Sequence, residues 1–303
     1  MDFIGDIHGH RERLEFLLQK MGYSLVGGAY RHPCRQAVFL GDYIDRGPDT
    51  RGVVNIVRRM VEAGSAQAIL GNHEWNALCF WEKNPQGGYL REHSVNKILI
   101  HTKTMESYRS CQEEFQEALN WFLTLPLFLE TPAFRAQHAC FDLENVRILR
   151  RENLITLQNR ENLFRILNDA EIRRAVLDTV QGPEMELSHG NFYYDSEDVL
   201  RTRARIKWWL DPQGKTLRDL AFQPGVKIPP EPLAAEIRNR LFYGENERPD
   251  FFGHYWLEGT PTLFRSNICC LDYSVASYKG TGILTAYRFD GEANLDSRNF
   301  VWV

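Results

Sequence analysis

The chain has 303 residues, 43% of them hydrophobic and 25% charged, with a formal net charge of −4. That composition is ordinary for a globular protein, and the length allows one large domain or two small ones. The acidic balance argues against a binder of nucleic-acid duplexes, and no apolar run approaches the ~18 residues that a membrane span needs.

The first quarter repeats one pattern three times. Phe3 and Ile4 form an apolar run that meets GDIHGH at 5–10, and a helix follows with Leu14, Leu17, Leu18 and Met21 at helical spacing. Residues 22–36 read as a turn-rich excursion. A second strand at 37–41 runs into GDYIDRGPD, and residues 50–64 form an amphipathic helix ending at Gly64. A third strand at 66–70 meets GNHE at 71–74. Strand, loop and helix in repetition predict an α/β fold with polar groups delivered beyond the carboxyl ends of the strands. Asp6, His8, Asp42, Asp45, Arg46, Asn72 and His73 then converge at one edge.

From Glu74 to about Glu130 the pattern is helical and aromatic-rich, interrupted by NPQGG at 84–88 and ending in the strand-like LFLE. FRAQHACFD reads as a strand ending near His138. A charged helix over about 158–178 leads into loop sequence at 182–198. In LRTRARIKWWLDP the spacing of Arg201, Arg205, Trp208 and Trp209 predicts one helix face, with Arg205 a candidate phosphate ligand. Residues 213–232 read as a surface loop, 234–242 as a short helix, and DFFGHYW as a strand ending at His254, before a tail of strands and turns. Six cysteines without a C-x-x-C read as reduced thiols, and the first strand begins almost at Met1, leaving no room for a leader; both favour a cytoplasmic setting.

Two metal ions need ligands from several strands and a carboxylate that bridges. Asp6 and His8 alternate across one residue and suit one ion, Asp42 suits the bridge, and Asn72, His138 and His254 suit the second. None is a cysteine, which argues against a structural zinc. Glu74 reads as loop support; His32, His93, His101 and His189 read as surface or packing residues.

GDIHG, GDYIDRG and GNHE in this order resemble the signature of the calcineurin-like metallophosphoesterases. They are most similar to the phosphoprotein phosphatase branch, which holds protein Ser/Thr phosphatases and bacterial symmetrical diadenosine tetraphosphatases. QHACFD and FFGHYW match the two downstream histidines more loosely, and 75–130 and 145–245 read as insertions within a single domain over 1–303. The resemblance implies two packed mixed β-sheets flanked by helices. It implies Asp6, His8 and Asp42 on the first metal, Asp42, Asn72, His138 and His254 on the second, Asp45 and His73 as acid–base pair and Arg46 on phosphate. Manganese is the first choice of ion, with iron and zinc also suited to N/O ligands. The expected activity is hydrolysis of phosphate monoesters by a metal-bound hydroxide, with phosphoserine or phosphothreonine in proteins as substrates. The alternative is a dinucleoside polyphosphate at the same site. A non-catalytic phosphate-binding module is the remaining class, disfavoured because every ligand and the acid–base pair are retained.

Overall fold

Each motif loop leaves a short, largely buried strand, and the glycine at its start lets the chain turn where a side chain has no room. The computed structural model describes every residue except 195–199, 223–227, 229, 241 and 278, and only the backbone of His189, Glu236 and Arg240. The loop readings over 195–198 and 223–227 therefore lie outside the described residues.

β1 (Asp2–Ile4) leads into α1 (Arg11–Lys20), and β2 (Ser24–Val26) pairs with β3 (Ala29–Arg31). β4 (Ala37–Phe39) leads into α2 (Thr50–Glu62), and β5 (Ala66–Ala68) into α3 (Asn72–Trp81). Next come α4 (Val95–Ser107), α5 (Gln112–Phe122), β6 (Phe128–Glu130), β7 (Arg135–Gln137), α6 (Leu143–Arg151), α7 (Arg160–Asn168) and α8 (Ala170–Gln181). Small elements follow: β8 (Glu184–Glu186), β9 (Tyr193–Tyr194), β10 (Leu200–Arg201), β11 (Arg203–Arg205), α9 (Leu217–Leu220) and α10 (Ala235–Arg240). The chain closes through β12 (Asp250–Phe252), β13 (Ile268–Cys270), β14 (Asp272–Tyr273), β15 (Ile283–Arg288) and β16 (Phe300–Trp302).

Two mixed sheets result. In the first, β1 and β4 are parallel, as are β4 and β5, while β15 joins β1 antiparallel. In the second, β12 lies parallel to both β7 and β13, and β6 closes the edge antiparallel to β7. The sheets meet over Phe3, Val38, Leu40, Phe134, Phe251 and Cys269. Phe3 and Phe251, one from each sheet, stack with centroids 3.7 Å apart. The outer faces pack on the helices.

Three local readings change. The excursion at 22–36 contains a hairpin, because Gly27 and Gly28 both adopt positive φ, which a two-residue turn between twisted strands requires. The helix read over 158–178 is two helices, because Asp169 breaks it and its side chain accepts hydrogen bonds from the Glu171 and Ile172 N–H groups at the start of α8. The stretch holding Arg201 and Arg205 is not a helix. β11 pairs antiparallel with β8, setting Arg203 opposite Glu186 and Arg205 opposite Glu184, so cross-strand charge pairing prevails over the four-residue spacing. Trp208 and Trp209 are buried in the core.

Candidate metal centre

The loops that follow β1, β4, β5, β7 and β12 meet in one buried cluster. Nine non-glycine residues among those described have positive φ, and five of them are His8, Asp42, Asp45, Arg46 and His254. Such conformations cost ~1–3 kcal/mol each and persist only where the surroundings impose them. Two buried carboxylates do so. Glu74 accepts hydrogen bonds from the N–H groups of Asp42 (2.9 Å), Tyr43 (2.8 Å), Ile44 (3.2 Å) and Gly71 (3.1 Å), tying the second loop to the third and fulfilling its expected supporting role. Asp272 accepts from the N–H groups of Trp256 (2.7 Å) and Ser274 (2.9 Å), pinning the chain just beyond His254. Close approach fixes the glycines too. A Cβ on Gly253 would lie 1.9 Å from Asp6 Oδ1, and one on Gly41, at φ +96°, 2.8 Å from His138 Nδ1.

Asp42 presents its two oxygens to different neighbours. Oδ2 lies 3.6 Å from His8 Nε2, and Oδ1 lies 3.3 Å from His138 Nε2. Asn72 Oδ1 lies 2.9 Å from His138 Nε2 and 2.8 Å from His254 Nδ1. Two triads of donor atoms, His8–Asp42–His73 and Asp42–His138–His254, each fall within 4.8 Å of one another. Asp6 is in neither triad; its carboxylate accepts from the His254 N–H at 3.1 Å. His8 and His138 each turn Nδ1 to a backbone carbonyl, of Ile44 and Leu40, and so aim Nε2 into the cluster.

These donors fit divalent ions. His8 Nε2 is buried with no hydrogen-bond partner, as a ligand atom would be. The carboxylate shared between the two triads is what a bridging position requires. Burial and the neighbouring Asp272 push Asp6 well above the ordinary carboxylate range, a balance that a dication reverses. Burial and His73 push His8 down to about 3, keeping it a neutral donor.

His73 stands beside the cluster. Its Nδ1 is 2.6 Å from Asp45 Oδ2, and its Nε2 is 3.9 Å from Asp42 Oδ2. Burial works against a charged ring, but Asp42 and Asp45 outweigh it and raise His73 above its ordinary value. The Arg46 guanidinium lies over the Trp256 ring, 4.3 Å from its centroid, and Arg205 donates from Nη1 to the His254 carbonyl at 3.2 Å. Arg205 thus reaches the cluster although the helix predicted to carry it is absent.

Sequence reasoning missed His101. Read as surface or packing, it is 4% exposed and sets its Nδ1 2.7 Å from Asp45 Oδ1. The signal available was the pattern of α4, where His101, Thr104 and Ser107 share one face. Val95 and Leu99 point outward instead, 72% and 65% exposed.

A family model described as calcineurin-like phosphoesterase matches residues 2–226. The asymmetrical bis(5'-nucleosyl)-tetraphosphatase PrpE of Oceanobacillus iheyensis is 40% identical over 117 residues, 38% of this chain. The chain spans 43% of that relative, less than half its length. Among solved structures, a protein serine/threonine phosphatase from Saccharomyces cerevisiae aligns with a TM-score of 0.53 at 15% identity, over 100% of this chain and 78% of its own. A cold-active protein-tyrosine phosphatase of a Shewanella species aligns with a TM-score of 0.52 at 16% identity, over 95% and 74%. At such identities these two likenesses speak for the fold alone.

Proposed function

This chain belongs to the calcineurin-like phosphoesterase family, and from that membership we propose that it is a metal-dependent hydrolase of dinucleoside polyphosphates. The observation that supports the substrate is the 40% identity, over 117 residues, to a protein named for that activity. The sequence alone ranks phosphate monoesters first. The relatives' name reverses that order, and specifies asymmetrical cleavage where the resemblance suggested symmetrical. An arginine backed by a tryptophan face beside the cluster suits a substrate with both phosphates and flat bases.

In this reading His8, Asp42 and Asp6 would hold one ion, and Asp42, Asn72, His138 and His254 the other. Two divalent ions held there would supply positive charge for phosphoryl oxygens and an activated water. Arg46 binds non-bridging oxygens with its fork, held in plane by Trp256. Arg205 adds positive charge beside His254. His73, its Nδ1–H committed to Asp45, gives a proton from Nε2 to the leaving oxygen, and Asp45 stabilises the imidazolium.

A side-by-side assay with Mn²⁺ tests the substrate. Diadenosine tetraphosphate is expected to be hydrolysed with the highest kcat/KM, giving AMP and ATP rather than ADP. A phosphopeptide turned over faster than the dinucleotide would overturn this choice of substrate.

A further inference from the structure

We propose that His101, held by Trp81, is a positioning residue for the Asp45–His73 pair. The proposal rests on the reading of His73 as the leaving-group acid. Asp45 divides its carboxylate between two jobs. Oδ2 faces His73 Nδ1 at 2.6 Å, while Oδ1 accepts from His101 Nδ1 at 2.7 Å and from the Thr104 hydroxyl at 2.6 Å. His101 and Thr104 are three residues apart on α4 and reach Asp45 from one helix face. The backbone is clamped as well, since the Asp45 N–H donates to Thr104 Oγ1 at 3.0 Å. Two donors on Oδ1 fix the rotation of a carboxylate whose own φ is +69°, so that Oδ2 stays in line with His73.

Trp81 decides what His101 can be. Its indole Nε1–H lies 2.9 Å from His101 Nε2 and can only donate. His101 Nε2 therefore accepts, and Nδ1 carries the proton that Asp45 receives. Asp45 is thus hydrogen-bonded by the Nδ1–H of His101 and keeps its charge for the imidazolium of His73. Burial alone would raise the Asp45 carboxyl, but hydrogen bonds from His101 and His73 hold it below the ordinary range. The indole is itself set by the Phe115 ring, edge-on at 5.4 Å.

Four variants test this: His101→Leu removes the donor, His101→Asn keeps an amide N–H near the Nδ1 position, Trp81→Phe removes the indole N–H while keeping an aromatic ring, and His73→Asn is the reference. In His101→Leu, kcat for phenyl phosphate is expected to fall ~10–100-fold and for p-nitrophenyl phosphate only a few-fold, since the better leaving group needs less protonation. KM and bound metal stay at the wild-type level, and His101→Asn recovers most of the loss. Equal losses on both esters in His101→Leu, when His73→Asn discriminates between them, overturn the positioning role. No discrimination in His73→Asn itself overturns the acid reading beneath it. An activity-independent readout is the ¹⁵N spectrum of the histidines. His101 is expected as the Nδ1–H tautomer, with its Nε2 resonance shifted in Trp81→Phe; an Nε2–H His101 in the unaltered protein at neutral pH overturns the positioning role even if a variant fails to fold.

Discussion

At the scale of single residues, the site divides into groups that sequence identifies and groups that it hides. Asp6, His8, Asp42, Asn72 and His73 fall in short motifs whose order and flanking apolar runs mark them. His101 carries no such mark, because its partner Asp45 is 56 positions away and no local pattern links them. His73→Asn is expected to lower kcat by ~10²-fold or more with both ions retained, measured by steady-state kinetics beside metal analysis. Loss of metal that accounted for the whole effect would remove His73 from proton transfer. Asp250 offers a separate test. It is fully buried, Gln137 donates to its Oδ1 at 2.8 Å, and Oδ2 has no hydrogen-bond partner. Burial pushes its carboxyl up to about 7. A carboxyl raised in the folded state gives stability that is complete below the unfolded value near 4 and is lost as pH rises to about 7. Across that window the loss reaches up to ~1.4 kcal/mol per pH unit. Asp250→Asn should therefore flatten the fall in Tm between pH 4 and 7 and raise Tm at pH 8; an unchanged pH profile would rule this out.

At the scale of elements, helices and strands are placed as much by polar anchoring as by apolar pattern. α4 turns His101 and Thr104 inward and leaves Val95 and Leu99 outside, the reverse of an ordinary surface helix. Its seat is set by Asp45 and by the Arg51 N–H, which donates to Ser107 Oγ at 3.0 Å. A periodicity reading assigns such a helix the wrong inner face. β11 fails for a related reason, since its charged residues find partners across a strand pair that local spacing cannot reveal. α3 works the other way, because Glu74 beside Asn72 and His73 fixes two loops from one helix start. Glu74→Ala leaves four backbone N–H groups without their acceptor and is expected to cost on the order of 4 kcal/mol. Tm and metal content should fall together in that variant; a normal metal content at reduced Tm would separate loop support from the metal centre.

At the scale of the whole molecule, the centre straddles two sheets. Asp6, Asp42 and Asn72 follow strands of the first, and His138 and His254 follow strands of the second. The Phe3–Phe251 stack lies between the sheets that carry the two halves of the candidate ligand set. Phe251→Ala should cost ~3–5 kcal/mol in chemical denaturation and weaken metal retention as well. Ions that bind only the folded chain stabilise it by mass action. Chelation is expected to abolish activity and lower Tm by several degrees, with Mn²⁺ restoring both. Full activity and unchanged Tm after complete metal stripping would refute a dinuclear centre.

The α/β class, the three loops and the chemistry of their side chains are legible in the linear chain. Such features depend on contiguous residues, where an apolar run, a glycine and a donor within ten positions suffice. Tertiary structure alone decided that Asp42 presents separate oxygens to His8 and His138, and that Asp272 pins the backbone beyond His254. It alone brought His101 and Trp81 behind Asp45, with Arg205 arriving on a strand. Those relations join residues 16 to 96 positions apart, through contacts that exist only once the chain has folded.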